Sequence, residues 1–110
     1  VVYTGTHDNV TTEGWRATAS PEDVHYACRY LRCTPKDLTE AMIAACLSCV
    51  SDMAIIPMAD WLHLGAEARI NTPSTQGSNW QWRLTTPLTS LLADHIADLT
   101  TLYDRAPAAE

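Results

Sequence analysis

Basic residues are scarce in this chain of 110 residues, which has 7 Lys and Arg against 13 Asp and Glu and a formal net charge of −6. Nucleic acids and anionic membranes bind to basic surfaces, so this balance argues against both as partners. The chain also lacks any apolar run near the roughly 18 residues that span a bilayer, and it lacks a secretory signal pattern. A neutral ligand such as a sugar is compatible with these absences, although they do not point to one.

Repeats and low-complexity linkers are missing as well, and the length allows one domain at most. Apolar residues make up 46% of the chain and charged residues 18%, which is typical of a globular protein and excludes a disordered one.

The four cysteines do not suggest a disulfide framework. Cys46 and Cys49 have the spacing of a redox or zinc pair, and Cys28 with Cys33 would supply two more ligands. Both pairs fall in helical patterns, however, where cysteine is a good small core residue. We therefore predict buried free thiols, which fit a reducing cytosol, and keep a small α/β domain with a cysteine metal site as the alternative.

The most informative stretch opens the chain, where four β-prone residues run into Gly5 and are followed by Thr6, His7, Asp8 and Asn9. Val, Tyr and Thr favour a strand, and glycine ends it. The polar residues therefore follow the carboxyl end of a strand, which is the edge where β/α proteins bind ligands. A hydrogen-bonded turn is the alternative role for these side chains.

Two helices are predicted next, each with a clear start. Ser20 and Pro21 give the first helix a cap and a proline at its first position, and Thr34 and Pro35 restart the chain in the same way. The second helix has apolar residues on two faces, so we expect it to be buried from more than one side.

A second strand, a long loop and a last helix complete the predicted order. The apolar run 53–58 predicts a strand buried on both faces, and residues 60–64 predict one helical turn. The polar segment 66–83 is a long loop, and the last helix covers about 86–103, with a frayed tail at 105–110. Because a helical crossover joins the two strands, we expect them to be parallel.

Four motifs carry a family resemblance. They are VYTGTHDN at 2–9, PMAD at 57–60, LGAEARIN at 64–71 and NWQWR at 79–83. In this order they resemble signature blocks of the 4-α-glucanotransferases, also called amylomaltases or disproportionating enzymes, of glycoside hydrolase family 77. The resemblance covers residues 1 to about 103.

The resemblance implies an α/β fold, namely the last two β/α units of a TIM-type (β/α)8 barrel. Such a barrel needs about 250 residues. Residues 1–110 would then be the C-terminal portion of a single catalytic domain, incomplete without the rest of the barrel upstream of Val1. The absence of a starting methionine agrees with this expectation. Strands without neighbours leave unpaired edges, so we expect the isolated chain to aggregate or to remain partly folded.

The resemblance also implies an activity, the transfer of α-1,4-glucan segments from a donor to the 4-hydroxyl of an acceptor glucan or glucose with retention of configuration. Asp8 is implied as a third carboxylate that binds the 2- and 3-hydroxyls of the donor sugar, with His7 as a neighbouring donor. From its position in the loop after the second strand, Asn71 faces the same rim and is a candidate substrate contact. Asn9 is a second candidate, for which fixing the turn is the stronger role. The nucleophile and the acid/base motifs lie upstream in the family, so this chain alone should be inactive.

Neither a cofactor nor a metal is implied, and the implied location is the cytoplasm, or a plastid in a plant. A glucan-binding barrel without turnover is the alternative in the binding class. We also expect an ion pair between Glu67 and Arg69. The four tryptophans are expected mainly to pack, with sugar stacking as the alternative.

The chain departs from the family pattern at five positions. Val10 and Ala59 replace polar residues, Arg16 replaces an aromatic residue, and Ser74 and Ser78 replace glycines. The serines matter only where the backbone needs a positive φ.

Overall fold

Two short strands form the sheet. The computed structural model describes residues 1–107, and in it β1 (Val2–Tyr3) pairs with β2 (Ala54–Ile55). The pairing is parallel, with Val2 opposite Ala54 and Tyr3 opposite Ile55, so the predicted strand direction is confirmed. Burial of the second strand on both faces is wrong, since Ile55 is 47% exposed. Each strand has one neighbour in the described chain, which leaves its other side uncovered.

Helices make up most of the regular secondary structure outside the sheet. They are α1 (Thr12–Thr18), α2 (Pro21–Leu31), α3 (Leu38–Ser48), α4 (Met58–Trp61) and α5 (Ser90–Leu102), with 3-10 turns at Pro35–Asp37 and Ala66–Ala68. None of the helices in residues 1–107 is both long enough and apolar enough to cross a membrane.

The predicted start of α2 is confirmed, whereas α1 was not predicted. Ser20 Oγ accepts a hydrogen bond from the Asp23 backbone at 3.2 Å and so caps α2. In the same way Thr11 Oγ1 accepts from the Gly14 backbone at 3.1 Å and caps α1. Gly14 lies inside this seven-residue helix, where glycine lowers helix propensity, and the pattern is too short to be recognised.

The core forms around α3. Ile43 and Leu47 pack with Trp61, and α5 covers them with Leu92, Ile96, Leu99 and Tyr103. Leu38 and Ile43 are fully buried, so the prediction that α3 is buried from more than one side is confirmed.

The last helix begins later than predicted. Thr89 Oγ1 accepts from the Leu92 backbone at 3.2 Å and sets the first turn at Ser90. Leu88 and Leu91, both within the predicted helix, are 59% and 81% exposed. The single turn of α4 begins at Met58 instead of Asp60, and it ends at Trp61, before Gly65.

Arg105 anchors the segment that was expected to fray. Its guanidinium donates to the carbonyls of Leu47 at 2.7 Å, Cys49 at 3.1 Å and Ser51 at 2.9 Å. The prediction of a frayed tail is therefore wrong at Arg105, because these carbonyls at the end of α3 bind its side chain. The end of the predicted tail, 108–110, lies outside the described residues.

All four cysteines are free thiols. Cys28 and Cys46 are buried as predicted, and Cys33 and Cys49 are partly exposed. Among residues 1–107 no three His, Cys, Asp or Glu side chains come close enough to hold a metal ion, so the cysteine metal site has no support.

Candidate functional site

The polar residues after β1 form a tight turn. The Asn9 backbone donates to the Thr6 carbonyl at 3.1 Å. Asn9 Oδ1 in turn accepts from the Thr6 backbone at 2.8 Å and from Thr6 Oγ1 at 3.0 Å. Asn9 thus fixes the turn, which is the stronger of the two roles predicted for it. A substrate contact by its remaining amide group stays a prediction.

Asp8 presents its carboxylate on this turn. Oδ1 accepts a hydrogen bond from Asn71 Nδ2 at 2.7 Å, and Oδ2 lies 3.3 Å from His7 Nε2. The Asp8 side chain is 45% exposed. A carboxylate has about four lone-pair positions. Asn71 occupies one of them and His7 Nε2 lies beside a second, so the group retains capacity for two further donors, such as a pair of hydroxyls.

The structure therefore brings together His7, Asp8 and Asn71, although 63 residues separate Asp8 from Asn71. The backbone reinforces this contact, because the Asn71 amide donates to the His7 carbonyl at 3.0 Å. These residues follow β1 and β2, whose parallel pairing places their carboxyl ends at one edge of the sheet.

Arg69 joins the two loops through their carbonyl groups. Its Nη2 donates to the Asp8 carbonyl at 2.6 Å, and its Nε donates to the Asn71 carbonyl at 2.9 Å. The expected ion pair with Glu67 is wrong. Glu67 Oε1 instead accepts from the Gly65 backbone at 3.1 Å, because it lies within reach of that amide at the start of the 3-10 turn.

Trp80 contacts His7 in a way that the sequence did not predict. The two ring centroids are 5.0 Å apart, with the planes inclined by 36°. Trp80 has φ of +64°, a conformation that is uncommon for a bulky residue and that is concentrated at functional sites. Its backbone amide donates to the Ile70 carbonyl at 2.7 Å. The sequence marked Trp80 only as part of the NWQWR motif. Nothing in that motif indicated a contact with His7.

The loop between Asn71 and Trp80 is closed by Asn79, whose Oδ1 accepts from the Thr72 backbone at 2.8 Å. Ser74, in this loop, has φ of +62°, whereas Ser78 has a negative φ. Of the two serines, Ser74 alone therefore stands where a glycine would be relaxed.

Asp60 connects the segments on either side of the turn and is only 2% exposed. Its carboxylate accepts from the Thr12 backbone at 2.9 Å and from Thr12 Oγ1 at 3.1 Å, and also from Thr4 Oγ1. The residue thus ties the end of β1 and the start of α1 to α4. This buried carboxylate, which accepts three hydrogen bonds, serves a structural purpose.

A cavity of about 570 Å³ lies next to the turn. The residues around it are Thr4, Asn9, Val10, Thr12, Trp15, Ala27, Met42 and Arg69. Val10, which directly follows the turn, is therefore a lining residue. Asp8 does not line this cavity; its carboxylate opens to solvent beside it.

Comparisons with known proteins agree with these motifs. A family model described as 4-alpha-glucanotransferase matches residues 1–89. The chloroplastic/amyloplastic 4-alpha-glucanotransferase of Arabidopsis thaliana is 43% identical over 96% of this chain, and the 4-alpha-glucanotransferase of Streptococcus pneumoniae serotype 4 is 44% identical over 96%. The chain spans 19% and 21% of the lengths of these two relatives.

A solved structure is similar as well. The amylomaltase of Streptococcus agalactiae in complex with acarbose superimposes with a TM-score of 0.89 and 35% identity, covering 97% of this chain and 22% of that one. The relatives thus include both bacterial and plastid proteins. With matches in sequence and in fold over nearly all of its length, this chain belongs to the 4-alpha-glucanotransferase family.

Proposed function

We propose that this chain is part of a retaining 4-alpha-glucanotransferase and that Asp8 binds two hydroxyls of the donor glucose unit. The observation that carries the proposal is the half-exposed Asp8 carboxylate, which Asn71 and His7 hold while two of its lone-pair positions stay open. Donor and acceptor are α-1,4-glucans. This substrate class follows from the family, and the relative with acarbose bound agrees with it.

The proposed mechanism divides the chemistry between this chain and the rest of a longer protein, called here the parent enzyme. A retaining transfer needs a nucleophilic carboxylate and an acid/base carboxyl, which the parent enzyme supplies from segments upstream of Val1. As the sugar ring flattens and gains positive charge, hydrogen bonds from its hydroxyls to the Asp8 carboxylate strengthen. His7 donates to the same hydroxyls, and Asn9 and Asn71 lie at the margin of this subsite.

The proposal extends to the fold and to the location of the parent enzyme. Residues 1–110 would form the last two units of a (β/α)8 barrel, and the parallel pairing of β1 and β2 supports this. The site lies past the carboxyl ends of these strands, as barrel active sites do. The location is the cytoplasm, or a plastid in a plant.

Replacing Asp8 with asparagine in the parent enzyme tests the proposal. Asp8→Asn keeps the shape and removes the charge, so kcat for maltotriose disproportionation should fall by roughly 100- to 1000-fold. Glucose release from maltotriose is the measurement. Asp98→Asn, an exposed carboxylate on α5, is the matched control and should leave the rate unchanged.

Near-normal disproportionation by Asp8→Asn would remove Asp8 from the mechanism. A parent enzyme that binds maltotriose without releasing glucose would instead favour the glucan-binding alternative.

A further inference from the structure

We infer that Arg69 is a positioning residue for Asp8, acting on the Asp8 backbone without touching the sugar. The inference rests on the proposed function and adds a residue to it. Asp8 stands on an exposed turn after a strand of two residues, so the local secondary structure alone does little to fix the direction of its side chain. A carboxylate that binds two hydroxyls must be held in one orientation.

The guanidinium of Arg69 provides such a restraint. Its two bonds, 2.6 Å to the Asp8 carbonyl and 2.9 Å to the Asn71 carbonyl, use the rigid planar fork of arginine. They hold the Asp8 backbone against the same loop that carries the amide donor to Asp8 Oδ1. The backbone and the side chain of Asp8 are thus fixed from one neighbouring segment, residues 69–71.

Arg69 forms no ion pair within residues 1–107 that would explain its place otherwise. The competing explanation is that Arg69 merely links the two loops and stabilises them, as a general staple, without a specific effect on the Asp8 carboxylate. A staple would change the stability of the parent enzyme and would act on turnover independently of the Asp8 charge. A positioning residue should lower kcat through Asp8 and lose its effect once that charge is gone.

The test uses Arg69→Met, Arg69→Lys and a matched control in the parent enzyme. Arg29 is the control, because it is an exposed arginine on α2, outside the two loops that carry Asp8 and Asn71. We expect Arg69→Met to lower kcat by roughly 10- to 100-fold with KM changed less than about threefold, since a small misplacement of a catalytic group affects mainly the transition state. Lysine cannot reproduce the fork and should restore only part of kcat. Arg29→Met should leave kcat unchanged.

A double-mutant cycle separates positioning from stapling. In an Asp8→Asn background, Arg69→Met should lower kcat by less than about threefold further, because the group that it positions is already disabled. An equal fold loss in both backgrounds would overturn the inference, and so would no loss in Arg69→Met. If Arg69→Met does not fold, as judged by its melting temperature, Arg69→Lys is put through the same cycle.

The two proposals fail in different ways. Normal turnover in Asp8→Asn would overturn the proposed function itself. A strong loss in Asp8→Asn together with an additive or absent effect at Arg69 would overturn only the positioning role.

Discussion

Thiol reactivity differs from one cysteine to another in this chain. A hydrogen bond from the Ser51 backbone lowers the pKa of Cys49, while burial opposes this shift. A hydrogen bond from the Ser51 side chain and the positive charge of Arg105 lower the pKa further. Burial raises the pKa of Cys46, and burial together with the neighbouring Cys28 thiol raises the pKa of Cys33. Because the thiolate is the nucleophile, Cys49 should be the most reactive of these thiols at neutral pH.

Alkylation with iodoacetamide checks this order. A lowered pKa enlarges the thiolate fraction of Cys49 at every pH below the ordinary thiol value, so its labelling rate should reach half-maximum at a lower pH than that of an unperturbed cysteine. Peptide mass spectrometry of the parent enzyme, labelled for short times at several pH values, measures each site separately. First labelling at Cys33 or Cys46 would contradict the prediction.

At the scale of elements, a helix was predicted correctly from the sequence where a capping residue preceded a strong apolar periodicity. Ser20 with Pro21 located α2, whereas α1 was missed because its cap precedes a short segment that contains Gly14. The placement of Asn71 at the same rim as Asp8 agrees with the rule that parallel strand ends share an edge, but the hydrogen bond between the two side chains was not predicted. The position of Trp80 did not, since a positive φ at tryptophan contradicts every local preference.

Asp60 offers a test of how the elements are joined. The Asp60 carboxylate accepts three hydrogen bonds, and Asp60→Asn would turn an NH2 group toward some of these donors. Because a buried donor would then lack its acceptor, we expect the parent enzyme to lose about 2–3 kcal/mol of its free energy of unfolding. Urea denaturation measures this loss. The same change at exposed Asp98 should alter stability by less than about 0.5 kcal/mol. Equal stabilities for the two variants would show that the Asp60 contacts are dispensable.

At the scale of the whole molecule, apolar surface is poorly covered. The radius of gyration is 14.9 Å, against about 13 Å for a compact domain of this length. Exposed apolar residues flank or belong to the sheet, namely Val1, Tyr3, Met53 and Ile55. The exposure of Met53 and Ile55 was not predictable from the apolar run 53–58. Apolar content alone does not say how many neighbouring strands will cover a strand.

The two-stranded sheet predicts how the isolated chain behaves in solution. Within residues 1–107 each strand pairs on one side only, and an uncharged open edge invites pairing with another chain. We therefore expect residues 1–110 on their own to self-associate, as measured by sedimentation velocity over a range of concentrations. Ile55→Lys places a charge on the exposed strand and should reduce association, whereas Thr101→Lys, at an exposed position of α5 that belongs to neither strand, should not. A monodisperse monomer that melts cooperatively would mean that α3 and α5 suffice to stabilise the two strands, and the open edges would then have no bearing on solubility.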